Sequence, residues 1–173
     1  MADLQLKHSV EDKRTLILER EFSAPRRLVF KAFGDCRHLR HWWSPAGFEL
    51  THCDLDFRPG GSWHYCMTGV SEELGEMKGM ESWGLANYSQ ISEPELIAYR
   101  DYFADAEARI NEDMPASDTV VTLVEVGDRT LLVNRTTYAS EEALQQVIDM
   151  GMIGGVDETW NKLEEHLQDL QRG

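Results

Sequence analysis

The C-terminal stretch from Ser140 to Gln171 constrains the fold most, because it has the pattern of one long amphipathic helix. Ser140 is a favourable N-cap, and two glutamates follow in the first turn, where the helix dipole favours negative charge. Apolar residues then recur at steps of three and four: Leu144, Val147, Ile148, Met152, Val156, Trp160, Leu163, Leu167 and Leu170. Unbroken, this helix would reach roughly 45 Å. It therefore needs a large apolar surface to lie on, and we expect Leu163 to be buried there.

Three glycines interrupt the predicted helix within a short stretch: Gly151, Gly154 and Gly155. Each glycine inside a helix costs about 1 kcal/mol relative to alanine. One interpretation is a kink, or a close approach of the helix to a sheet. The other is that the missing side chains leave room beside the helix for a ligand.

Seven strand-like segments precede the helix, and turn residues separate them. They cover residues 15–22, 48–57, 62–68, 83–91, 96–103, 119–126 and 130–137. In the first segment Leu16, Leu18 and Phe22 share one face, and Arg20 has the same phase. We therefore expect Arg20 to point into the interior of the protein.

Two short helices are predicted between the first two strands. Ser23 can cap the first, with Pro25 in its first turn, and the second spans residues 36–42. The later connections can all be hairpins, so the sheet should be antiparallel. The prediction is an α+β fold in which a sheet of about seven strands grips the C-terminal helix, with residues 1–14 loose and residues 15–171 forming a single domain.

Charge and composition exclude several classes of function. The net charge of −14 argues against binding to nucleic acid or to anionic membrane surfaces. No apolar run approaches transmembrane length, and the N-terminal residues lack the apolar core of a signal peptide. Cys36, Cys53 and Cys66 form no CxxC pair, so we interpret them as free buried thiols and predict a cytoplasmic protein.

Several segments, in order, resemble the activator-of-heat-shock-protein-ATPase homologue family, within the START-like (SRPBCC, birch-pollen-allergen-like) superfamily. They are residues 20–25 (REFSAP), Trp42-Trp43, 57–63 (FRPGGSW), 83–84 (WG) through 91–94 (ISEP), and 150–152 (MGM) through Leu163. The resemblance spans roughly residues 15 to 170. It implies a helix-grip fold, with a curved antiparallel sheet around the C-terminal helix and an apolar cavity between them.

The resemblance does not imply a reaction. The superfamily includes lipid carriers, polyketide cyclases, hormone receptors and ligand-sequestering resistance proteins. The eukaryotic chaperone activators carry a second domain with extensive chaperone contacts. No segment of this sequence resembles that domain, so a chaperone contact is not the favoured expectation.

No nucleophile motif, phosphate-binding loop or dinucleotide fingerprint is present. The metal-ligand candidates are His38, His41, His52, His64, Cys53 and Cys66. Neighbours such as His52 and Cys53 point to opposite sides of a strand, so we expect no metal and no cofactor. The acid–base candidates are Glu81, Asp101, His64, Tyr65 and Tyr99, and no spacing among them singles out a catalytic pair.

Aromatic and methionine side chains are more informative. Trp63, Tyr65 and Met67 share one strand face, as do Tyr99 and Phe103 with Ile97. A filled core explains such residues, but so does the wall of a small-molecule pocket. We predict a ligand cavity lined by Trp43, Trp63, Tyr65, Met67, Trp83, Tyr99, Phe103, Met152 and Gly155. Residues 69–82 are long enough to form a lid over it.

Three functions remain open from the sequence. The first is a binding protein, rather than an enzyme, that holds a small apolar or aromatic molecule. The second is a cyclase-like or hydrolase-like enzyme that uses polar groups in the same cavity. The third is a protein-interaction module akin to the chaperone activators. The expected partner is a small apolar molecule, with no nucleic acid and no membrane insertion; a homodimer is left open.

Overall fold

The computed structural model describes residues 4–172, and within them eight strands form one sheet. In chain order the strands are β1 (Lys7–Glu11), β2 (Thr15–Phe22), β3 (Phe48–Leu55), β4 (Ser62–Gly69), β5 (Glu81–Ser92), β6 (Leu96–Phe103), β7 (Ser117–Val126) and β8 (Arg129–Tyr138). The spatial order is β1-β2-β8-β7-β6-β5-β4-β3, and every neighbouring pair is antiparallel. This curved, unclosed sheet with a long C-terminal helix confirms the predicted α+β helix-grip architecture.

β1 is the strand that the sequence did not predict. It occupies part of the segment expected to be loose, and all five of its residues are exposed. Pairing with β2 holds it in place, from Lys7 opposite Glu19 to Glu11 opposite Thr15. Because neither face of β1 is buried, its sequence lacks the apolar alternation by which strands are recognised.

Four helices complete the described fold: α1 (Arg26–Phe33), α2 (Cys36–Trp42), α3 (Glu141–Asp149) and α4 (Met152–Arg172). The predicted single C-terminal helix is therefore two helices. They separate at Gly151, whose φ of +89° is a conformation that favours glycine and commonly ends helices. Ser140 caps α3 as predicted, by accepting a hydrogen bond from the Ala143 amide.

The predicted cap of α1 is wrong. Pro25 occupies the N-cap position of α1. The Ser23 backbone N–H instead donates to Oε1 of Glu164 on α4 over 2.9 Å. Glu164 is buried, so this contact ties the end of β2 to the C-terminal helix.

α4 packs on the sheet through the predicted apolar stripe. Trp160, Leu163 and Leu167 are buried, and Leu163 is fully inaccessible to solvent. Trp160 meets Phe22 of β2 edge to face, with ring centroids 5.9 Å apart. The expectation that Leu163 lies in the core is confirmed.

Arg20 points into the interior, as its phase predicted, and its exposed fraction is 2%. Its Nη1 donates to Oδ1 of Asn161 on α4 over 2.9 Å, and its guanidinium carbon lies 4.5 Å from the Phe22 ring centroid. Burial lowers the pKa of Arg20, and the nearby carboxylates of Glu164 and Asp157 oppose that shift. The buried guanidinium is thus stabilised by an amide, an aromatic ring and two more distant negative charges.

The interpretation of all three cysteines as free thiols is wrong. Cys36 at the start of α2 and Cys53 in β3 form a disulfide, with their α-carbons 6.0 Å apart. Cys66 is free and buried, as expected. α2 packs against β3 in the folded chain, and this tertiary contact brings the two cysteines together.

Across residues 4–172, no helix is both long enough and apolar enough to cross a lipid bilayer.

Candidate functional site

A cavity of about 380 Å³ lies between the concave face of the sheet and helices α3 and α4. Its volume falls within the range of about 300–1,000 Å³ typical of small-molecule sites. One side of the cavity is apolar and the other carries polar groups. We call these two sides the apolar wall and the polar wall.

The apolar wall comes mainly from the helices and the residues that follow α2. Its members are Phe33, Trp43, Pro45, Val147, Met152, Val156 and Trp160. Trp43 follows the last residue of α2, and its ring packs edge to face on Trp42 and Trp63. Trp42 is fully buried, so Trp43 is held rigidly at the cavity.

The polar wall comes from neighbouring positions on β6, β7 and β8. Its members are Tyr99, Asp101, Ser117, Thr119, Asn134, Thr136 and Tyr138. Asp101 is opposite Ser117, which is opposite Tyr138, and Tyr99, Thr119 and Thr136 form the adjacent row. Paired residues project from the same face of a sheet, so three strands assemble one polar patch.

Hydrogen bonds join members of the polar wall. Thr119 and Thr136 share a bond of 3.1 Å between their hydroxyl oxygens, and Asn134 Nδ2 donates to Thr136 Oγ1 over 3.0 Å. Tyr99 lies directly opposite Thr119 in the register of β6 and β7. This network fixes the orientation of the groups that a ligand would meet.

Asp101 is the ionisable group of this wall that can change charge near neutral pH. The Tyr65 hydroxyl donates to its Oδ1 over 3.1 Å. Burial raises the pKa of Asp101 to about 7, although the hydrogen bonds from Tyr65 and from the Tyr102 backbone N–H act in the opposite direction. Burial also raises the pKa of Tyr65 and Tyr99 well above the ordinary value, so both phenols stay protonated.

Six of the nine predicted site residues line this cavity: Trp43, Met67, Tyr99, Phe103, Met152 and Gly155. Tyr65 and Trp83 border an adjoining pocket of about 220 Å³ instead. The Trp83 ring stacks against His64 on the other face of the sheet, with centroids 5.1 Å apart. Trp83 pairs with Cys66 rather than with Tyr65, which accounts for that orientation.

The structure does not place Trp63 at the cavity. Trp63 is buried, stacks on Tyr65 at 4.2 Å between centroids, and packs against Trp43 at 4.8 Å. Trp43 therefore stands between Trp63 and the space beside the helices, and tryptophan fluorescence would report on the cavity through Trp43 and Trp160.

The glycines of the helix break have separate roles. Gly151 allows the break itself. Gly155 lines the cavity, and a β-carbon there would meet only Pro45, at 4.0 Å. Gly154 is exposed and would meet nothing within 4 Å. The helix break at Gly151 corresponds to the kink that the sequence suggested, and the cavity beside Gly155 corresponds to the space for a ligand. None of the three glycines packs on the sheet.

The segment predicted to form a lid, residues 69–82, meets the cavity at its C-terminal end, where Ser82 belongs to the lining. Residues 70–80 include a short 3-10 helix (Glu72–Met77), and the Val70 and Ser71 amides donate to the Gly47 carbonyl over 2.9 and 3.1 Å. No residue between 70 and 80 belongs to the described cavity lining. Lid movement stays a prediction.

Five of the six histidines form two groups outside the cavity. His38 and His41 of α2 meet His166 of α4, and His52 and His64 meet Trp83 on the convex side of the sheet. Within residues 4–172, no set of three or more His, Cys, Asp or Glu side chains has an arrangement that could hold a metal ion.

Sequence reasoning named Asp101 only as one of several acid–base candidates, and it omitted Tyr138, Asn134 and Thr136. The signal for Asp101 was available, because Tyr99, Asp101 and Phe103 alternate on β6 and must share a face. Of the other acid–base candidates, Tyr65 and Tyr99 lie beside Asp101, whereas Glu81 and His64 do not line the cavity.

Comparison with known proteins gives consistent matches. Residues 23–168 match the family model described as Activator of Hsp90 ATPase homolog 1-like protein. A crystal structure from Mycobacterium smegmatis is 36% identical, with a TM-score of 0.82, and the match covers 94% of this chain and 95% of that one. No curated protein gives a significant match.

Two solution structures are also similar. One, from Staphylococcus epidermidis, is 31% identical, with a TM-score of 0.78 over 92% of this chain and 93% of that chain. The other, from Arthrobacter aurescens, is 25% identical, with a TM-score of 0.83 over 94% of this chain and 91% of that chain.

Proposed function

The chain belongs to the Activator of Hsp90 ATPase homolog 1-like family, and we propose that it binds a small apolar or aromatic molecule in the cavity between its sheet and its C-terminal helices. Proteins of this family and its superfamily commonly bind ligands. The observation that carries the proposal is the two-sided cavity of about 380 Å³. Its apolar wall would hold a ring system, and its polar wall would orient a single polar group.

Ligand binding is favoured over chaperone activation because the polar groups that could recognise a partner line the cavity inside the fold. The hydroxyls, amide and carboxyl of the polar wall face a space rather than the outer surface. An internal polar wall recognises a small molecule that enters the cavity, whereas chaperone contact would use the exterior.

The test uses N-phenyl-1-naphthylamine, a neutral aromatic probe that fluoresces strongly in apolar surroundings. The wild-type protein should give a saturable increase in probe emission, with energy transfer from Trp43 and Trp160. Gly155→Leu should weaken this response, because its side chain would occupy the cavity.

Gly154→Leu is the matched control, since Gly154 lies one residue away, is exposed and does not line the cavity. Both variants replace a helical glycine, so both should keep or improve helix stability. Wild-type protein without a saturable response, or two variants with the same probe affinity, would refute the proposal.

A second candidate function is acid–base catalysis in the same cavity, favoured by the hydrogen bond between Tyr65 and Asp101. A carboxyl with a pKa of about 7 can both give and accept a proton near neutral pH. Liquid chromatography coupled to mass spectrometry of a bound compound after incubation distinguishes the two functions. A binding protein returns the compound with its mass and retention time unchanged, whereas hydrolysis changes the mass and isomerisation or cyclisation changes the retention time.

A further inference from the structure

Asp101 is the only residue with a formal charge among the described residues that line the cavity. The lining includes no lysine, arginine or histidine. Within residues 4–172, the only side-chain hydrogen bond to its carboxyl comes from the neutral Tyr65 hydroxyl. The cavity therefore contains a carboxyl group without a counter-ion from the protein.

The Asp101 carboxyl is half-buried beside an apolar wall, so its ionised form is less well solvated than a surface carboxylate, and a positive charge next to it would stabilise it. No described side chain of the cavity lining supplies this charge, whereas a cationic ligand would. A carboxylate also accepts up to about four hydrogen bonds, and the bond from the Tyr65 hydroxyl uses only part of that capacity. An ammonium group has three donors and a full positive charge.

Aromatic rings around the carboxyl favour the same kind of ligand. Tyr99, Tyr138, Phe103, Trp43 and Trp160 all line the cavity. The electron-rich faces of such rings attract cations within about 6 Å of the ring centroid. The net charge of −14 adds a long-range attraction for cations and opposes the approach of anions.

We propose that the cavity takes an apolar aromatic amine, with its ammonium group bound to Asp101 and its ring system against the apolar wall. This inference rests on the proposed ligand-binding function and specifies its ligand class. A neutral ligand that accepts a hydrogen bond from protonated Asp101 is the competing outcome, and repulsion by ionised Asp101 opposes a carboxylate ligand.

The binding should depend on pH in one direction. Asp101 faces Tyr65 of β4, Tyr88 of β5, Tyr99 of β6 and Tyr138 of β8. Burial raises the pKa of all four phenols, that of Tyr138 to about 12, so none of them ionises between pH 5 and 8. Affinity for an amine should therefore rise with pH as Asp101 loses its proton.

The experiment compares three naphthalenes that differ only in their polar group: 2-(1-naphthyl)ethylamine, 2-(1-naphthyl)ethanol and 1-naphthylacetate. Each competes with N-phenyl-1-naphthylamine for the full chain at pH 5 to 8. At pH 8 the amine should bind about tenfold more tightly than the alcohol, as expected of a charge-assisted hydrogen bond, and the acetate should bind most weakly.

Asp101→Asn should remove the preference for the amine and its pH dependence, while the alcohol still binds. Asp54→Asn is the matched control, because Asp54 is exposed on β3 and its loss changes the net charge equally. If Asp101→Asn fails to give a cooperative melting transition, the wild-type series alone decides the question.

Equal binding of the amine and the alcohol at every pH would overturn the inference and leave the proposed function intact. Tighter binding of the alcohol than of the amine at pH 8 would also overturn it, in favour of protonated Asp101 as a donor. If none of the naphthalenes and no N-phenyl-1-naphthylamine binds, the proposed function fails, and this inference fails with it.

Discussion

The ring of Tyr65 on β4 occupies the space that a β-carbon of residue 84 on β5 would need. Gly84 is the cross-strand neighbour of Tyr65, so the ring lies flat over the glycine backbone. From there the Tyr65 hydroxyl reaches Oδ1 of Asp101. A glycine outside the cavity thus positions the hydrogen bond that holds the carboxyl of the polar wall.

Gly84→Ala should destabilise the protein by about 1–3 kcal/mol, because the added methyl group overlaps the buried Tyr65 ring. Chemical denaturation measures the loss. Gly154→Ala is the control and should be neutral or stabilising, since nothing lies within 4 Å of its added carbon. Equal midpoints for the two variants would show that the ring can move at no cost.

Arg20→Ala should lower the free energy of unfolding by about 1–3 kcal/mol, because it leaves Asn161 and the Phe22 ring without their buried partner. Arg27 is exposed on α1, and Arg27→Ala should change stability by less than about 0.5 kcal/mol. A denaturant midpoint for Arg20→Ala that equals that of Arg27→Ala would contradict the assignment.

Leu163→Ala should destabilise the protein by about 2–5 kcal/mol, since Leu163 on α4 is fully buried in the hydrophobic core. Glu165→Ala, two residues further on the exposed side of α4, should have little effect. Thermal unfolding followed by circular dichroism measures both. If Leu163→Ala has the same melting temperature as the wild type, the assignment of Leu163 to the buried face of α4 is wrong.

Removing the disulfide should also destabilise the fold. The bridge between Cys36 and Cys53 spans a sequence separation of 17, and a loop of that size corresponds to about 3 kcal/mol. The double variant Cys36→Ser/Cys53→Ser should lose about this amount in denaturant unfolding. Dithiothreitol should lower the wild-type midpoint and leave that of the double variant unchanged; a wild-type midpoint insensitive to dithiothreitol would argue against the bridge.

His166 should make stability fall in acid. Burial and the neighbouring His41 and His38 lower the pKa of His166 to about 4, whereas an unfolded histidine titrates near 6.5. Between these values the unfolded chain binds the extra proton, so the contribution of His166 is present above about pH 6.5 and is lost as pH falls towards 4.

The measurement is the urea midpoint at several pH values between 7 and 4. His166→Gln should give a shallower decline than the wild type, because glutamine does not titrate. His8→Gln, at an exposed position on β1, is the control and should follow the wild-type curve. Parallel curves for wild type and His166→Gln would refute the prediction.

Local patterns allowed much of the architecture to be predicted. The alternation of apolar residues identified seven of the eight strands and the interior position of Arg20, and the steps of three and four identified the buried face of α4. The same alternation on β6 contained the information that Tyr99, Asp101 and Phe103 lie together. These features depend on the local geometry of strands and helices, so the spacing of apolar residues in the sequence predicts them.

The candidate site was only partly predictable, because its polar wall joins β6, β7 and β8 through cross-strand register. Trp63 and Trp43 were equally plausible wall residues from their chemistry. The tertiary structure shows that Trp43 lines the cavity and that Trp63 packs behind it, against the Trp43 ring.

The sequence by itself determined the strands, the buried faces and the resemblance to a helix-grip family, because periodicity and turn chemistry are local properties of the chain. The tertiary structure decided the bridge between Cys36 and Cys53, the pairing of the fully exposed β1 and the lone carboxyl of Asp101 in the cavity. Each of these features depends on which distant segments come into contact and on how much solvent that contact excludes. The spacing of residues along the chain predicts neither the contacts nor the exclusion of solvent.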